Sequence, residues 1–232
     1  MNSVDPSGKY RLTICNVFVT AATLGTKPTG SLETGDRFQI IKNSSNTAQQ
    51  EQGGIMPYFI NFIRVPSAGK TGVVLDAITA SVAGTAAATG HPGFITVPVS
   101  AAAPNQPRPG IISTIGGFAT LDDFDAFQEA ALNNKTVMNR LDAIDGLCDR
   151  THWQVSEVLS GALDMPTGYE PKVVGRSMNV AILGKRQALV DAFLGIRDKV
   201  TPDVKPMVSA PMSGPISAVR VTTFGASLQD LD

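Results

Sequence analysis

The residues best able to do chemistry in this chain are its two histidines. His91 stands in a Gly-His-Pro sequence, and His152 stands beside Trp153. Neither histidine lies at a metal-ligand spacing from a cysteine or from a pair of carboxylates, whereas a zinc or haem site needs more ligands than these residues supply. We therefore predict a turn role for His91, a packing role for His152, and no bound metal or cofactor.

The two cysteines, Cys15 and Cys148, are the next candidates. Two cysteines cannot build a disulfide framework, and the opening sequence MNSVDPSGKY lacks the basic and apolar regions of a signal peptide. We expect both thiols to be reduced and buried, in a protein made in a reducing cytoplasm.

The densest acidic group follows Thr120 and consists of Asp122, Asp123, Asp125 and Glu129. A pair of carboxylates can act as general acid and base. These residues, however, open a helical pattern, where negative charge is stabilised by the positive end of the helix dipole. We interpret them as partners of that dipole and not as a catalytic site.

A third candidate is SAGKT at residues 67–71, which imitates the end of a phosphate-binding loop. A true loop needs a glycine five residues before Gly69 and a helix after it, because bare amides must wrap the phosphates. Arg64 occupies the glycine position, Pro66 intervenes, and a strand-like GVVLDAI follows. The pattern therefore predicts no nucleotide site.

Other enzyme and nucleic-acid signatures are missing from the sequence. No serine stands in a G-x-S-x-G turn, and aromatic residues make up only 6% of the chain, with a single Trp. We predict no catalytic, cofactor-binding or metal-binding residues, no enzymatic activity, and no strong affinity for nucleic acid.

The clearest element is a helix over Thr120 to Asp149. Thr120 and Asp123 fit a capping box. Apolar residues then recur at spacings of three and four, which predicts one buried face: Leu121, Phe124, Phe127, Ala131, Val137, Leu141, Ile144 and Cys148.

The remaining elements follow from β-branched composition, apolar periodicity and proline positions. We predict strands at 9–24, 37–42, 55–65, 72–82, 93–99 and 216–228, and further helices at 151–163 and 177–199. Extended or irregular connections are expected at 1–8, 43–54, 100–110 and 201–215.

Together these elements predict an α+β fold, because runs of strands precede a run of helices. We divide the chain into a β-rich part at 1–110 with a polar N-terminal arm, a helical part at 111–200, and a proline-bearing connection with a C-terminal strand at 201–232. We expect these parts to form one structural domain with extended arms.

Composition bounds the possible partners. The net charge is -1, which argues against binding by phosphate neutralisation, and charged residues are 17% of the chain against a usual share of about 25%. Residues 121–170 carry 10 acids and 3 bases, whereas residues 171–232 carry 8 bases and 5 acids. These two segments can attract each other within a chain or between copies, and the alternative is that the acidic residues form a solvated helix face. No apolar run approaches the roughly 20 residues of a membrane span.

This chain has low charge, abundant Ala, Gly, Thr, Ser and Pro, and long proline-bearing connections. In this overall composition it resembles bacteriophage and virus virion structural proteins, although it shares no specific motif with them. The resemblance implies a non-enzymatic subunit of a large assembly, a capsid, cement or tail protein. Its partners would be copies of itself and other particle proteins, and its location the host cytoplasm and then the virion.

Two alternatives stay open: an enzyme whose active site is assembled from residues distant in sequence, and a β-rich module that binds a small ligand or glycan.

Overall fold

The structure is a computed structural model that describes residues 14–23, 57–98, 110–161, 169, 171–201, 204–213 and 217–231. Its strands are β1 (Ile14–Thr23), β2 (Tyr58–Pro66), β3 (Gly93–Pro98), β4 (Ile111–Phe118), β5 (Cys148–Val158), β6 (Val173–Val180), β7 (Met207–Pro211) and β8 (Ala218–Gly225). Its helices are α1 (Thr71–Thr89), α2 (Leu121–Leu132), α3 (Lys135–Asp145) and α4 (Arg186–Lys199), and a short 3-10 helix covers Leu228–Leu231. The predicted α+β class is confirmed.

The eight strands close into one barrel in the order β1-β3-β4-β2-β5-β7-β8-β6, and every neighbouring pair is antiparallel. One half runs β2-α1-β3-β4-α2-α3-β5, with the strand order β3-β4-β2-β5. This is the β-α-β-β-α-β arrangement of ferredoxin-like units. In the other half β6, α4, β7 and β8 repeat the pattern, and β1 from the start of the chain supplies the fourth strand.

The barrel joins strands from all three parts into which we divided the sequence. Strands β1 to β3 come from residues 1–110, β4 to β6 from 111–200, and β7 and β8 from 201–232. The boundaries between those parts stay a prediction.

Successive side chains of each strand point to opposite sides of the barrel wall. On β2, Ile60, Phe62 and Arg64 face outward toward the helices of the first half, whereas Phe59 and Asn61 face the barrel interior. The main core lies on the outward face, where Ile78, Ile95, Ile115 and Phe118 pack with Phe124 and Ile144.

The strand predicted at 72–82 was wrong, because these residues lie in helix α1. Its buried residues are Val74, Ile78, Val82 and Ala86, four apart along one face. Valine and isoleucine favour a strand by composition, but the spacing of four lets α1 bury one stripe on the sheet, and this tertiary packing overrides propensity. By length and composition α1 could also cross a membrane, yet burial of one face only is typical of a helix that packs on a sheet.

The helix predicted over Thr120 to Asp149 is in fact two helices. The predicted capping box is present: Thr120 Oγ1 accepts from Asp123 N, and Asp123 Oδ2 accepts from Thr120 N, each at 3.1 Å. Helix α2 ends at Leu132, and Asn134 caps α3 by accepting from two backbone amides. A second N-cap inside the periodic stretch lets the chain turn while keeping its apolar face on the sheet.

Two other predicted helices were also misassigned. The helix predicted at 151–163 is strand β5, in which Gln154 and Ser156 are buried at the period of two that a strand requires. The helix predicted at 177–199 is the end of β6 followed by α4, because the chain turns at Gly184, whose φ of +76° favours glycine.

Three further strands were not predicted as such. No strand was predicted at 111–118, which forms β4; the predicted connection at 201–215 contains β7; and β6 was missed in part. The predicted strand at 37–42, and the connections at 1–8 and 43–54, lie outside the described residues, as does 100–110 except for Gly110.

Candidate ligand-binding cavity

A cavity of about 160 Å³ lies between the outer face of β4, β2 and β5 and the helices α1, α2 and α3. Its lining is mainly apolar and comes from all six elements: Ile60, Phe62, Arg64, Ile78, Ser81, Val82, Thr85, Ser113, Ile115, Phe124, Phe127, Gln128, Ala131, Leu132, Val137, Met138, Leu141, Trp153 and Val155. A volume of this size is close to that of an engineered cavity of about 150 Å³ that takes up benzene. The cavity therefore has room for one aromatic ring.

The apolar helix face predicted from the sequence forms one wall of this cavity. Phe124, Phe127, Ala131, Val137 and Leu141 all line it. Only Phe124 is fully buried on α2, and only Ile144 on α3. The helix pair therefore lies over the sheet with half-buried apolar side chains, and the space between the two layers is the cavity.

An aromatic pair forms part of the opposite wall. Phe62 on β2 lies directly opposite Trp153 on β5 in the strand register. The two rings meet edge to face, with centroids 5.0 Å apart and an interplanar angle of 71°. Trp153 keeps 39% of its surface exposed although it is the largest side chain in the wall. The pair offers an aromatic surface to a ligand.

Among the described residues of the lining, Arg64 is the one charged side chain, and its exposure is only 2%. Its Nε donates to Asp145 Oδ1 at 2.6 Å, and its Nη1 donates to Ser113 Oγ at 3.4 Å. Its Nη2 is buried and has no hydrogen-bond partner. Because a buried donor without a partner costs about 1–3 kcal/mol, and more for a charged group, this atom is where an acceptor from a ligand would be most favourable.

The charge of Arg64 is balanced before any ligand binds. Asp145 supplies the opposite charge, with 24% of its side chain exposed. The Arg64 guanidinium carbon also lies 5.4 Å from the centroid of the Phe62 ring. The lining contains no His, Cys, Asp or Glu, so the described residues place no conventional general acid or base in contact with a ligand.

The residues considered for chemistry in the sequence do not converge on this cavity. Burial lowers the pKa of His91, an effect opposed mainly by the charge of Asp123. The His91 ring packs on Phe118, with centroids 4.4 Å apart. His152 lies on β5, which was not the expected helix, and its side chain is exposed. Each histidine thus has a structural position apart from the cavity lining.

The cysteines and the acidic group are likewise separate from the cavity. Burial raises the pKa of the half-buried Cys148 thiol, and Cys15 belongs to β1, of which the structure describes the backbone. Asp123 serves the α2 cap, and its neighbours Asp122 and Asp125 are exposed. Among the residues the structure describes, no group of three metal-ligating side chains comes together.

The SAGKT segment does precede a helix, contrary to the sequence interpretation. Lys70 is the N-cap of α1 and makes no side-chain capping bond. Arg64, at the position where a phosphate loop has its first glycine, points instead into the cavity. The segment therefore still lacks the glycine-rich loop whose backbone amides wrap around nucleotide phosphates.

Sequence reasoning missed Arg64 and Trp153 as site residues. One signal was available, since Arg64 is the only charged residue in the apolar stretch IMPYFINFIRV. A charge in a strand covered on both sides needs a partner or a ligand. Its partner, Asp145, is 81 residues away in sequence, and that contact could not be read from the pattern.

No protein-family model and no curated protein matches this sequence. One solved structure similar to it is described as a "putative monooxygenase" from Lactobacillus acidophilus NCFM, with a TM-score of 0.48 and 8% identity, over 76% of this chain and 80% of that one. That description belongs to the Lactobacillus protein, and a likeness at this level assigns neither activity nor cofactor here.

The predicted function as a non-enzymatic structural subunit of a virus or phage particle is wrong by these comparisons. The similar structure is described as an enzyme, and nothing among the comparisons indicates a virion protein. The physical reason for the error is that low charge and small residues accompany any chain with much buried surface, so composition did not distinguish an assembly subunit from a barrel with a cavity.

Proposed function

We propose that this protein binds a small, mainly apolar ligand that carries an aromatic ring and one hydrogen-bond-accepting oxygen, in the cavity between the sheet and helices α1 to α3. The observation that carries the proposal is Arg64, a buried cation whose Nη2 has no hydrogen-bond partner, in a mainly apolar lining. Concave apolar sites with a few placed polar groups are the usual form of small-molecule sites.

The ring of the ligand would contact the aromatic wall. Phe62 and Trp153 hold their rings edge to face in this wall, and a third ring would bury apolar surface against both. Removal of apolar surface from water contributes about 25 cal/mol per Å², and aromatic pairs add about 0.5–1.5 kcal/mol beyond that area term. This contact would supply affinity for a ring without selecting its substituents.

The oxygen would accept from Arg64 Nη2. Because Asp145 already balances the charge of Arg64, a neutral carbonyl or phenol oxygen suffices, and a full negative charge on the ligand is not required. A hydrogen bond to a charged donor contributes about 1.5–3 kcal/mol, which is roughly a 10-fold to 150-fold difference in affinity. The polar contact would thus select among ring-bearing ligands.

Acetophenone and ethylbenzene provide a matched pair of probes, since they share the ring and differ in the carbonyl. Titration calorimetry should show acetophenone binding at least about tenfold more tightly. Trp153 is the single Trp in the chain, so a change in tryptophan fluorescence with either probe reports on the cavity wall. Equal affinities for the two probes would contradict the role of Arg64, and binding of neither would contradict the proposal.

Two neighbouring alanines on α2 give a matched pair of variants. Ala131 lines the cavity and Ala130 is exposed. Ala131→Leu should fill part of the space and weaken both probes, whereas Ala130→Leu should leave binding unchanged. If mass spectrometry finds the recovered probe chemically altered, the protein is an enzyme acting in this cavity, which is the open alternative of a dispersed active site.

A further inference from the structure

A second cavity, of about 70 Å³, lies inside the barrel and is separated from the first by the barrel wall. Asn61 and Thr114 face it from β2 and β4, whereas Phe62 and Ser113, their neighbours along the same strands, face the first cavity. The interior lining also includes two arginines, Arg176 and Arg220, whereas the described lining of the first cavity has one. A site here would be independent of the proposed function.

Arg220 brings a buried positive charge into this cavity. It lies on β8 with 7% of its surface exposed. Its Nη2 donates to Gln154 Oε1 across the interior, and this amide oxygen carries no charge to balance it. No acidic residue is among the described residues that line the cavity. A buried charge that has only neutral partners retains most of its desolvation cost.

Arg176 adds a second guanidinium to the same lining. Its Nη1 donates to Thr96 Oγ1 at 2.7 Å. Burial lowers the pKa of Arg176, and the positive charge of Arg220 lowers it further. The two cations therefore repel each other across a space of low polarity, where a negative charge would be attracted by both.

One hydroxyl group of the lining has no partner in the protein. Thr222 lines the cavity, and its Oγ1 is buried without a hydrogen-bond partner. In the strand register Thr222 lies opposite Arg176. The Thr222 hydroxyl thus lies beside a cation, where it can donate to an oxygen atom.

We propose that the barrel interior binds a small oxyanion, of which inorganic phosphate and sulfate are the simplest members, between Arg220, Arg176 and Thr222. A guanidinium group can donate two parallel N–H bonds to two oxygens of such an ion, and a neutral hydroxyl can donate to a further oxygen. Binding would balance the buried charge and satisfy the hydroxyl donor that the protein alone leaves without a partner.

Ordered water is the competing occupant. Each water needs about 10–15 Å³ of cavity volume, so roughly five would fit in this one. Water would satisfy the Thr222 hydroxyl but would leave the charge of Arg220 unbalanced. The two occupants differ in a measurable way, because a bound oxyanion stabilises the folded protein by an amount that rises with the logarithm of its concentration above the Kd, and water does not.

Thermal denaturation and calorimetry with phosphate test the proposal, with chloride at matched ionic strength as the reference. We expect saturable binding of phosphate in the calorimeter, and a melting temperature that keeps rising with phosphate concentration beyond the effect of chloride. Thr222→Val removes only an unpartnered hydroxyl, so the variant should fold, and we expect it to bind phosphate at least tenfold more weakly. Thr223→Val, the next residue on the same strand with its hydroxyl directed to Gly175 O, should bind as the wild type does.

Equal shifts with phosphate and chloride would overturn the proposal, because they would show ionic strength alone. Unchanged phosphate affinity in Thr222→Val would also overturn it. A crystal structure grown in phosphate that shows only water in the barrel would do the same. Acetophenone binding in the first cavity should be unaffected by Thr222→Val, so failure of one site is distinguishable from failure of the other.

Discussion

Arg64 and Asp145 join the central strand of the first half-barrel to the last residue of helix α3, with Nε and Oδ1 2.6 Å apart. Arg64 is almost fully buried, while about a quarter of the Asp145 side chain is exposed. The contact therefore balances a buried charge and also fixes how far α3 lies from the sheet. Since the cavity lies between those two layers, the ion pair helps set its depth.

Asp145→Ala should destabilise the protein, because it leaves the Arg64 guanidinium buried and unpaired. Removing one partner of a buried ion pair costs about 3–5 kcal/mol, and partial exposure of Asp145 places the expected loss near 2–3 kcal/mol. Urea denaturation followed by circular dichroism measures it. Asp142→Ala, on the exposed face one turn earlier, should change stability by no more than about 0.5 kcal/mol. Equal losses in both variants would contradict the role assigned to the ion pair.

Thr120→Ala should remove half of the α2 capping box. The Thr120 hydroxyl accepts from the Asp123 amide, and loss of such an N-cap typically costs about 1 kcal/mol. Thr136→Ala is the matched control, since Thr136 is exposed in the first turn of α3 and its side chain caps nothing. A thermal melt should show lower stability for the first variant and little change for the second.

Two glycine-to-alanine substitutions should have opposite signs. A Cβ at Gly195, within α4, meets nothing within 4 Å, whereas a Cβ at Gly93 would lie 2.6 Å from Val82 Cγ1. Gly195→Ala should therefore stabilise by about 0.5–1 kcal/mol through helix propensity. Gly93→Ala should destabilise by about 1–3 kcal/mol through overpacking between β3 and α1. A loss of stability in Gly195→Ala would contradict this account.

The parts of the fold that could be predicted from sequence are those fixed by neighbours along the chain. The capping box at Thr120 needs only a residue three positions away, and β3 and β8 follow from short β-branched runs. The predictions for the residues of helix α1 and strand β5 failed for the opposite reason. Both are amphipathic segments whose state is decided by what they pack on, and the closing of the barrel by β1 is a contact between distant parts of the chain.

The cavity was predictable in one wall only. The spacing from Phe124 to Leu141 indicated an apolar helix face that something must cover, and that face is present. The opposite wall depends on register, since Phe62 meets Trp153 only because β2 pairs with β5 over nine positions. Long-range pairing of this kind leaves no local pattern in the sequence.

Self-association, expected from the charge distribution, stays a prediction. The acidic helix α2 and the basic segment around α4 lie in different halves of the barrel. Light scattering at low and high salt would test attraction between copies through these charges, because such attraction weakens with ionic strength.

His91 should make the protein less stable in mild acid. Its half-buried ring packs between Phe118 and Phe127, and burial lowers its pKa below the ordinary value of about 6.5 despite the opposing charge of Asp123 and hydrogen bonds to the Gly116 and Gly117 backbone. In the window between the folded pKa and about 6.5 the unfolded chain binds more protons, so stability rises with pH there and falls on acidification.

His91→Gln removes this titration, and its melting temperature should therefore fall less than that of the wild type between about pH 7 and pH 5. His152→Gln, which replaces an exposed histidine, is the matched control for the loss of a histidine side chain. Proton NMR of the His91 ring gives the folded pKa directly. A titration midpoint above about 6.5 would reverse the expected sign, since a raised pKa would make mild acid stabilising instead.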